Sequence, residues 1–209
     1  MTSGALLYHE LMARGTAAGS DLFDLHIAAC IIALAASEAE SEGVALAQGT
    51  GLDPAEFADL CALLFPDAMV VPPAVLAVDE QEQALRDILW MNSARANSLE
   101  RLLSRMIARR ALRPNHLWQD LGLGNRGELS LLMQRHFPNL ARRNSADMKW
   151  KKFFYRMMCS SEQFRLCAAP VCSECDDFEA CFGSEDGEAL LARVANGRMP
   201  PNPRTELHR

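Results

Sequence analysis

The sequence has little of what β-strands require. It lacks the alternation of Val, Ile and Thr with polar residues that marks a half-buried strand, and only 7% of its residues are aromatic. Ala and Leu, which favour helices, dominate the apolar residues, and these make up 49% of the chain. The sequence therefore predicts an all-α fold, an irregular helical bundle that is long enough at 209 residues to bury a sizeable core.

The chain also lacks a positive net charge and a long apolar run. Its net charge of −6 argues against bulk nucleic-acid binding, so we expect no nucleic-acid partner. The most apolar run, residues 25–36, is shorter than the roughly 20 residues that cross a bilayer, and it predicts a buried helix. The first fifteen residues have no basic start followed by an apolar core, so we expect no secretory signal, no membrane partner and a cytoplasmic location.

Common catalytic patterns are missing as well. The sequence contains no P-loop, no dinucleotide-binding glycine pattern and no nucleophile elbow. These absences lead us to predict a carrier protein and no enzymatic activity.

The seven cysteines are unevenly distributed. Four of them, spaced C-x4-C-x2-C-x5-C, fall within fifteen residues: Cys167, Cys172, Cys175 and Cys181. Cys159 lies just upstream, whereas Cys30 and Cys61 lie far away within apolar surroundings and are predicted to be small core residues. The four clustered thiols are therefore the candidate ligands of a metal centre.

The spacing of these four cysteines suits a loop around a metal cluster. Thiolates are soft ligands that favour iron–sulfur clusters, zinc and copper(I). The two residues between Cys172 and Cys175 form one tight turn, and the longer gaps on either side can span roughly 15–20 Å. Pro170 argues against a continuous helix through the first gap. We predict a C-terminal cysteine-rich loop that binds a cluster.

Two other interpretations of the cysteines stay open. Disulfides would suit an oxidising compartment, which the expected lack of a secretory signal makes a poor match. Structural zinc usually requires two close cysteine pairs, and here there is one. The first three cysteines repeat the C-x4-C-x2-C part of the plant-type ferredoxin pattern, which favours an iron–sulfur cluster.

The rest of the chain is predicted to form the helical scaffold. Asp53, Pro54 and Glu56 form a helix start, and Pro66 should stop that helix. Residues 43–51 are predicted as a turn region. Further helices are predicted from Asp79, from Ser98, over 128–137 and over 148–158. We divide the chain into a helical scaffold domain (1–158), a cysteine-rich metal-cluster loop (159–183) and a short helix with a flexible tail (184–209).

Several stretches resemble one known family. They are RPNHLWQDLGL (residues 113–123), RGELSLLMQRHFPNLARRN (126–144), MKWKKFFYRMMC (148–159) and the four-cysteine pattern that ends in CFG. Together they resemble the NifQ family of nitrogen-fixation proteins over residues 113–183. The N-terminal half resembles that family only in its helical character.

The resemblance implies a specific function. Proteins of this family carry a molybdenum–iron–sulfur cluster and supply molybdenum for the iron–molybdenum cofactor of nitrogenase. They act with the nitrogenase iron protein and the NifEN scaffold complex, and they receive molybdate or a molybdenum–sulfur donor. The resemblance thus implies that Cys167, Cys172, Cys175 and Cys181 hold the cluster, for which a 4Fe–4S or 3Fe–4S cluster could be the precursor.

Charged residues around this segment suggest additional roles. Residues 126–156 contain eight Lys or Arg against two Asp or Glu, whereas residues 157–191 contain one against eight. The cations could offset the charge of a thiolate cluster, attract molybdate or simply cover surface. They are Arg142, Arg143, Lys149, Lys151 and Lys152. His116 could be a ligand, although such a histidine is more often a packed or capping residue.

The predicted helix from Ser98 carries a second group of cations. We expect its arginines to be solvated, and the alternative is a docking surface for an acidic partner. They are Arg101, Arg105, Arg109 and Arg110.

A function of a different class also stays open. The C-x2-C-x5-C part of the pattern resembles the cysteines of WhiB-like iron–sulfur transcription regulators. Helices near residues 122–127 could be taken for a helix-turn-helix. The acidic net charge and the lack of an isolated basic tail argue against this alternative.

Overall fold

The computed structural model describes residues 3–66, 76–145 and 147–162, and every regular element within these ranges is an α-helix. The helices are α1 (Ser3–Ala17), α2 (Leu22–Glu42), α3 (Leu46–Thr50), α4 (Pro54–Leu64), α5 (Glu80–Met91), α6 (Ser98–Ala111), α7 (Leu117–Asp120), α8 (Arg126–His136), α9 (Pro138–Arg143) and α10 (Trp150–Glu162). The predicted all-α fold is confirmed for this part of the chain. Residues 163–209, with most of the predicted cysteine-rich loop and all of the predicted short helix and tail, lie outside the described residues.

Helix α2 passes through the core. Its residues from Leu25 to Ala35 are buried except His26, which is partly exposed, and α1 and α3 pack against it. The buried helix predicted for the apolar run is therefore confirmed, although α2 continues to Glu42 and is longer than the run. By length and composition α2 could cross a membrane, which is weak evidence for a span. Of its most apolar window, 72% is buried inside the protein.

Short polar side chains begin most of the longer helices. The Asp53 carboxylate accepts a hydrogen bond from the backbone N–H of Glu56, and the Glu56 side chain accepts one from the backbone N–H of Asp53. This capping box confirms the predicted helix start, and α4 ends at Leu64, just before Pro66. The helix predicted over 128–137 is α8, which ends at His136, and Pro138 is the first residue of the next helix, α9.

The region predicted as a turn, residues 43–51, contains the five-residue helix α3. The two glycines at its borders were the reason for the prediction, and both have a role that is compatible with helices. Gly43 and Gly51 adopt left-handed conformations with φ of 67° and 73°, and they end α2 and α3 as C-caps. The two glycines therefore do interrupt the helices, but they mark the ends of two helices that lie close together and not one long turn.

Replacing Gly51 with alanine is expected to lower the free energy of unfolding by about 2–5 kcal/mol. Left-handed backbone costs an L-residue about 1–2 kcal/mol, and overpacking adds about 1–3 kcal/mol. A Cβ atom at Gly51 would lie 2.5 Å from the Cβ of Arg109 and 3.0 Å from the carbonyl oxygen of Arg105. Urea unfolding followed by circular dichroism measures the change.

Gly43→Ala is the matched control for this prediction. Gly43 has nearly the same φ, but a Cβ atom there would meet nothing within 4 Å. The Gly43→Ala variant should therefore lose only the backbone conformational contribution to its free energy of unfolding, about 1–2 kcal/mol. Equal losses in the two variants would show that crowding between α3 and α6 contributes nothing.

Candidate functional site

The four predicted cluster ligands, Cys167, Cys172, Cys175 and Cys181, lie outside the described residues. Cys159 belongs to α10, which ends at Glu162. The structure therefore describes the body that carries the cysteine segment up to Glu162, five positions before Cys167. The way in which α10 is held determines where that segment begins.

An aromatic cluster holds α10 against the body. Trp150, Phe153, Phe154 and Met158 are buried. The rings of Trp150 and Phe153 meet edge to face with centroids 5.6 Å apart, and the centroids of Trp150 and Phe154 are 5.8 Å apart. Both ring pairs lie within α10 and stabilise the helix itself by about 0.5–1.5 kcal/mol each, whereas the burial of these side chains holds it to the body. The apolar face of α10 thus fixes the helix just before the cysteine segment.

Lys151 connects α10 to α7. Its ammonium nitrogen lies 2.5 Å from a carboxylate oxygen of Asp120 and also donates a hydrogen bond to the carbonyl oxygen of Arg113. Desolvation lowers the pKa of Lys151, and the nearby Asp120 carboxylate opposes that shift. Lys151 therefore forms an internal ion pair with Asp120 and does not simply cover surface.

The same ion-pair network continues into α6 and α2. Arg110 is fully buried and forms two hydrogen bonds with Glu38, at 2.5 and 2.8 Å, and a third to the backbone carbonyl of Asp120. Arg113 contacts Glu38 at 2.9 Å. Burial would raise the pKa of Glu38, but Arg110 and Arg113 outweigh it and hold that pKa below its usual value. The network therefore joins α2, α6, α7 and α10.

Most of the arginines of α6 do not form the solvated row that the sequence predicted, although Arg101 is 42% exposed. Arg110 is buried, and the other three contact carboxylates on the neighbouring helices α4 and α5. The acidic partners of these arginines belong to the same chain, so the structure also does not favour the docking surface. The three pairs are Arg101 with Asp59, Arg105 with Glu56 and Arg109 with Glu82, at 3.7, 2.8 and 2.8 Å.

Asn144 organises the connection between α9 and α10. Its side chain donates to the carbonyl oxygen of Met148 at 2.8 Å and accepts from the backbone N–H of Met148 at 2.9 Å. Asp147 has a positive φ of 49° and hydrogen-bonds through its backbone N–H to the carbonyl oxygen of Asn144. These bonds give the connection a defined shape.

A cleft of about 250 Å³ lies beside this connection. Its polar lining comes from Arg143, Asn144, Ser145 and Arg156. Its apolar lining comes from Met148, Phe153 and Met157. The cleft is therefore formed partly by α10, and it combines positive charge with an apolar surface.

His116 occupies the N-cap position of α7. Its backbone N–H donates to the side-chain oxygen of Gln119 at 3.3 Å. This position agrees with the capping role that the sequence favoured over a ligand role. Within residues 3–66, 76–145 and 147–162, no group of three His, Cys, Asp or Glu side chains converges on a possible metal site.

Cys30 and Cys61 are buried and unpaired with each other, as predicted for core residues. Burial and the nearby Glu128 carboxylate raise the pKa of the Cys30 thiol, so this thiol stays protonated. Its sulfur lies 3.6 Å from the Nδ1 atom of His26. Neither cysteine has the surroundings of a reactive thiolate.

Two polar clusters, which were not predicted from the sequence, join distant parts of the chain. In the first, Tyr8 contacts His26 at 2.9 Å, and His26 contacts Glu128 at 3.3 Å. In the second, the buried His136 lies 3.0 Å from an oxygen of Asp24. More than a hundred residues separate His26 from Glu128 and Asp24 from His136, so no spacing pattern could have revealed these contacts.

The family profile of NifQ matches residues 27–183. The match begins within α2, includes α3 to α10 and extends past Cys181. It therefore covers both the described body and the four-cysteine pattern.

Individual relatives agree with this match. A NifQ homolog from Sinorhizobium fredii is 38% identical over 191 residues, which cover 86% of this chain and 82% of the relative. Protein NifQ of Rhodobacter capsulatus is 37% identical over 163 residues, covering 70% and 91%. Protein NifQ of Azotobacter vinelandii is 40% identical over 108 residues, covering 51% and 54%. No solved structure matches the chain.

Proposed function

The chain belongs to the NifQ family, and from that premise we propose that it is a molybdenum carrier for the assembly of the nitrogenase iron–molybdenum cofactor. The family comparisons support a role in nitrogen fixation. The part that we propose is that the chain binds molybdenum and delivers it. The observation that carries it is the presence of four thiols within fifteen residues of a chain of this family.

The proposed ligands are Cys167, Cys172, Cys175 and Cys181. Cysteine thiolates are the usual ligands of iron–sulfur clusters, and both sulfide and thiolate are soft enough to hold molybdenum. In this proposal the cargo is a molybdenum–iron–sulfur cluster, built from a 4Fe–4S or 3Fe–4S precursor with molybdate or a molybdenum–sulfur donor.

The described body supports this proposal by giving the cysteine segment a fixed start. The aromatic face of α10 and the Lys151–Asp120 ion pair both hold that helix to the core. A carrier has to bind its cargo and then release it to the next protein. A segment that follows a firmly held helix can do both without disturbing the core.

The proposed recipients are the nitrogenase iron protein and the NifEN scaffold complex. We propose that transfer takes place in the cytoplasm and that the protein acts as a metallochaperone without catalysing a reaction of its own. Family membership does not favour the alternative of an iron–sulfur transcription regulator.

The test is metal analysis of the full chain, purified without air from cells supplied with molybdate. Iron, molybdenum and zinc are measured by mass spectrometry, and the cluster is characterised by EPR. We expect iron and molybdenum in the same purified protein, together with a cluster signal. Zinc without iron would contradict the proposal and leave a structural site, which would predict colourless protein that unfolds on chelation. Iron without molybdenum would contradict the carrier role and reopen the regulator alternative.

A further inference from the structure

A buried histidine lies where the ends of three helices meet. His136 is 1% exposed and belongs to the last turn of α8. Its Nε2 atom lies 3.0 Å from an oxygen of Asp24, in the first turn of α2. Its Nδ1 atom lies 3.7 Å from an oxygen of Glu100, in the first turn of α6. Both ring nitrogens therefore face a carboxylate, and the three side chains come from three different helices.

Glu100 is fully buried, so its negative charge needs a partner inside the protein. One of its oxygens accepts a hydrogen bond from the backbone N–H of Arg95 at 2.8 Å. The other, Oε1, has no hydrogen-bond partner in the described part of the chain, and neither has Nδ1 of His136. Among the described side chains, His136 is the basic group within ion-pair distance of Glu100. The charge of this carboxylate is therefore balanced only if the ring is charged.

Asp24, the other carboxylate at the ring, already has a cation of its own. The Nε atom of Arg135, on α8, lies 3.2 Å from the same Asp24 oxygen that His136 contacts, and another Arg135 nitrogen lies 2.8 Å from Asp21. These residues and Glu100 are the charged groups that the described elements α2, α6 and α8 place around the ring. A neutral His136 would leave Glu100 uncompensated, whereas an imidazolium balances it.

The ends of the three helices favour the same charges. A helix C-terminus carries partial negative charge and stabilises a cation, whereas a helix N-terminus stabilises an anion. His136 lies in the last turn of α8, and Asp24 and Glu100 lie in the first turns of α2 and α6. Each of these positions therefore stabilises an imidazolium between two carboxylates.

We propose that His136 carries both ring protons in the folded protein and acts as a proton-dependent clasp between α2, α6 and α8. In this state one ring N–H donates to Asp24, and the charge of the ring balances Glu100. The backbone carbonyl of His136 also accepts a hydrogen bond from Ala94 at 2.8 Å, so the connection between α5 and α6 is held at the same point. Loss of the proton at raised pH leaves a buried carboxylate beside a neutral ring, which weakens the contacts of α8 with α2 and α6.

The first experiment records the ring nitrogen NMR resonances of the full chain labelled with 15N-histidine. The spectra are taken at about pH 8, where an ordinary histidine, which titrates near about 6.5, is mostly neutral. We expect both ring nitrogens of His136 to be protonated. In Glu100→Gln, which keeps the size of the side chain and removes its charge, His136 should be neutral. The matched control is Glu128→Gln, the same change at a partly exposed carboxylate 3.3 Å from His26, and it should leave His136 protonated.

Each contrary result in these spectra counts against the proposal. An unprotonated ring nitrogen of His136 in the wild-type protein would overturn it. An imidazolium that persists in Glu100→Gln would show that Glu100 does not hold the proton. If Glu128→Gln makes His136 neutral as well, the proton depends on the general loss of negative charge, and the clasp is wrong.

Urea unfolding as a function of pH tests the clasp through stability. At neutral pH the unfolding constant of His136→Gln should exceed that of wild type by more than about a hundredfold, the usual effect of breaking a buried ion pair. Because folding of the wild type takes up a proton above neutrality, its unfolding constant should rise by up to about tenfold per pH unit there. The ratio between the two proteins should therefore shrink as the pH rises, and a constant ratio would overturn the proton dependence. The spectra of wild type and Glu100→Gln decide the proposal even if His136→Gln does not fold.

Discussion

Replacing both Cys172 and Cys175 with alanine is expected to reduce the iron and molybdenum content of the anaerobically purified protein to background. These two cysteines form the tight C-x2-C pair in the middle of the four-cysteine pattern. Loss of a hydrogen-bond partner of a metal ligand already lowers metal affinity by about 10–100-fold. Removal of two ligands should exceed that, because the cluster would lose half of its proposed protein donors.

The control for this variant is Cys30→Ala/Cys61→Ala. It also removes two thiols, but both lie in the core of the described body. It should retain its iron and molybdenum, with at most a modest loss of stability from the small cavities. Metal analysis and EPR on both proteins give the comparison. Retention of iron and molybdenum in Cys172→Ala/Cys175→Ala would mean that the cluster is held elsewhere.

The second large effect is expected at Arg110. Replacing Arg110 with methionine should lower the free energy of unfolding by about 3–5 kcal/mol, the usual cost of removing one member of a buried ion pair. Glu38 would lose two of its hydrogen bonds, and the backbone carbonyl of Asp120 would lose a donor. Since a domain of this size is stable by only about 5–15 kcal/mol, the variant should unfold at much lower urea concentration.

Arg101→Met is the matched control, because it removes an arginine from the same helix. Arg101 is 42% exposed and lies 3.7 Å from an exposed Asp59, so its loss should cost at most about 1 kcal/mol. Similar costs for the two variants would show that burial of the Arg110–Glu38 pair is unimportant.

The penalty at Arg110 should also depend on pH. The pKa of Glu38 is lower in the folded state than in the unfolded chain, so its ionised form stabilises the protein above the unfolded value of about 4.3. That contribution disappears as the pH falls through the lower, folded pKa. The difference in stability between wild type and Arg110→Met should therefore be largest near neutral pH and shrink in acid. A difference that does not change with pH would remove Glu38 from the explanation.

Local signals in the sequence predicted the helices well. The start of α4 at Asp53, Pro54 and Glu56 was visible because all the groups of a capping box lie within four residues. Likewise, the apolar run in α2 indicated burial because eleven of its twelve residues are apolar. Where local signals failed, as between Gly43 and Gly51, the error came from a helix of five residues, which is too short to show a period.

The candidate site was likewise predictable only where its residues lie close together in sequence. The four cysteines were identifiable because they lie close together in sequence, and their role stays a prediction. Lys151 was predicted to offset cluster charge, attract molybdate or cover surface. Its ion pair with Asp120 was not predicted, because nothing near Lys151 in sequence indicates that contact. The cleft was invisible for a related reason. Arg143 and Arg156 belong to different helices, and nothing near either of them in sequence shows that they line one space.

The Glu38–Arg110 pair has a consequence for the order of events during synthesis. Glu38 is made 72 residues before its partner. At a translation rate of about 5–20 residues per second, Arg110 is therefore added about 4–14 s after Glu38. Lys151, which completes the same network, follows later still. The N-terminal helices can pack around the Glu38 carboxylate with its partner in place only after Arg110 has been translated. The network is complete once Lys151 has been added, shortly before the cysteine segment is made.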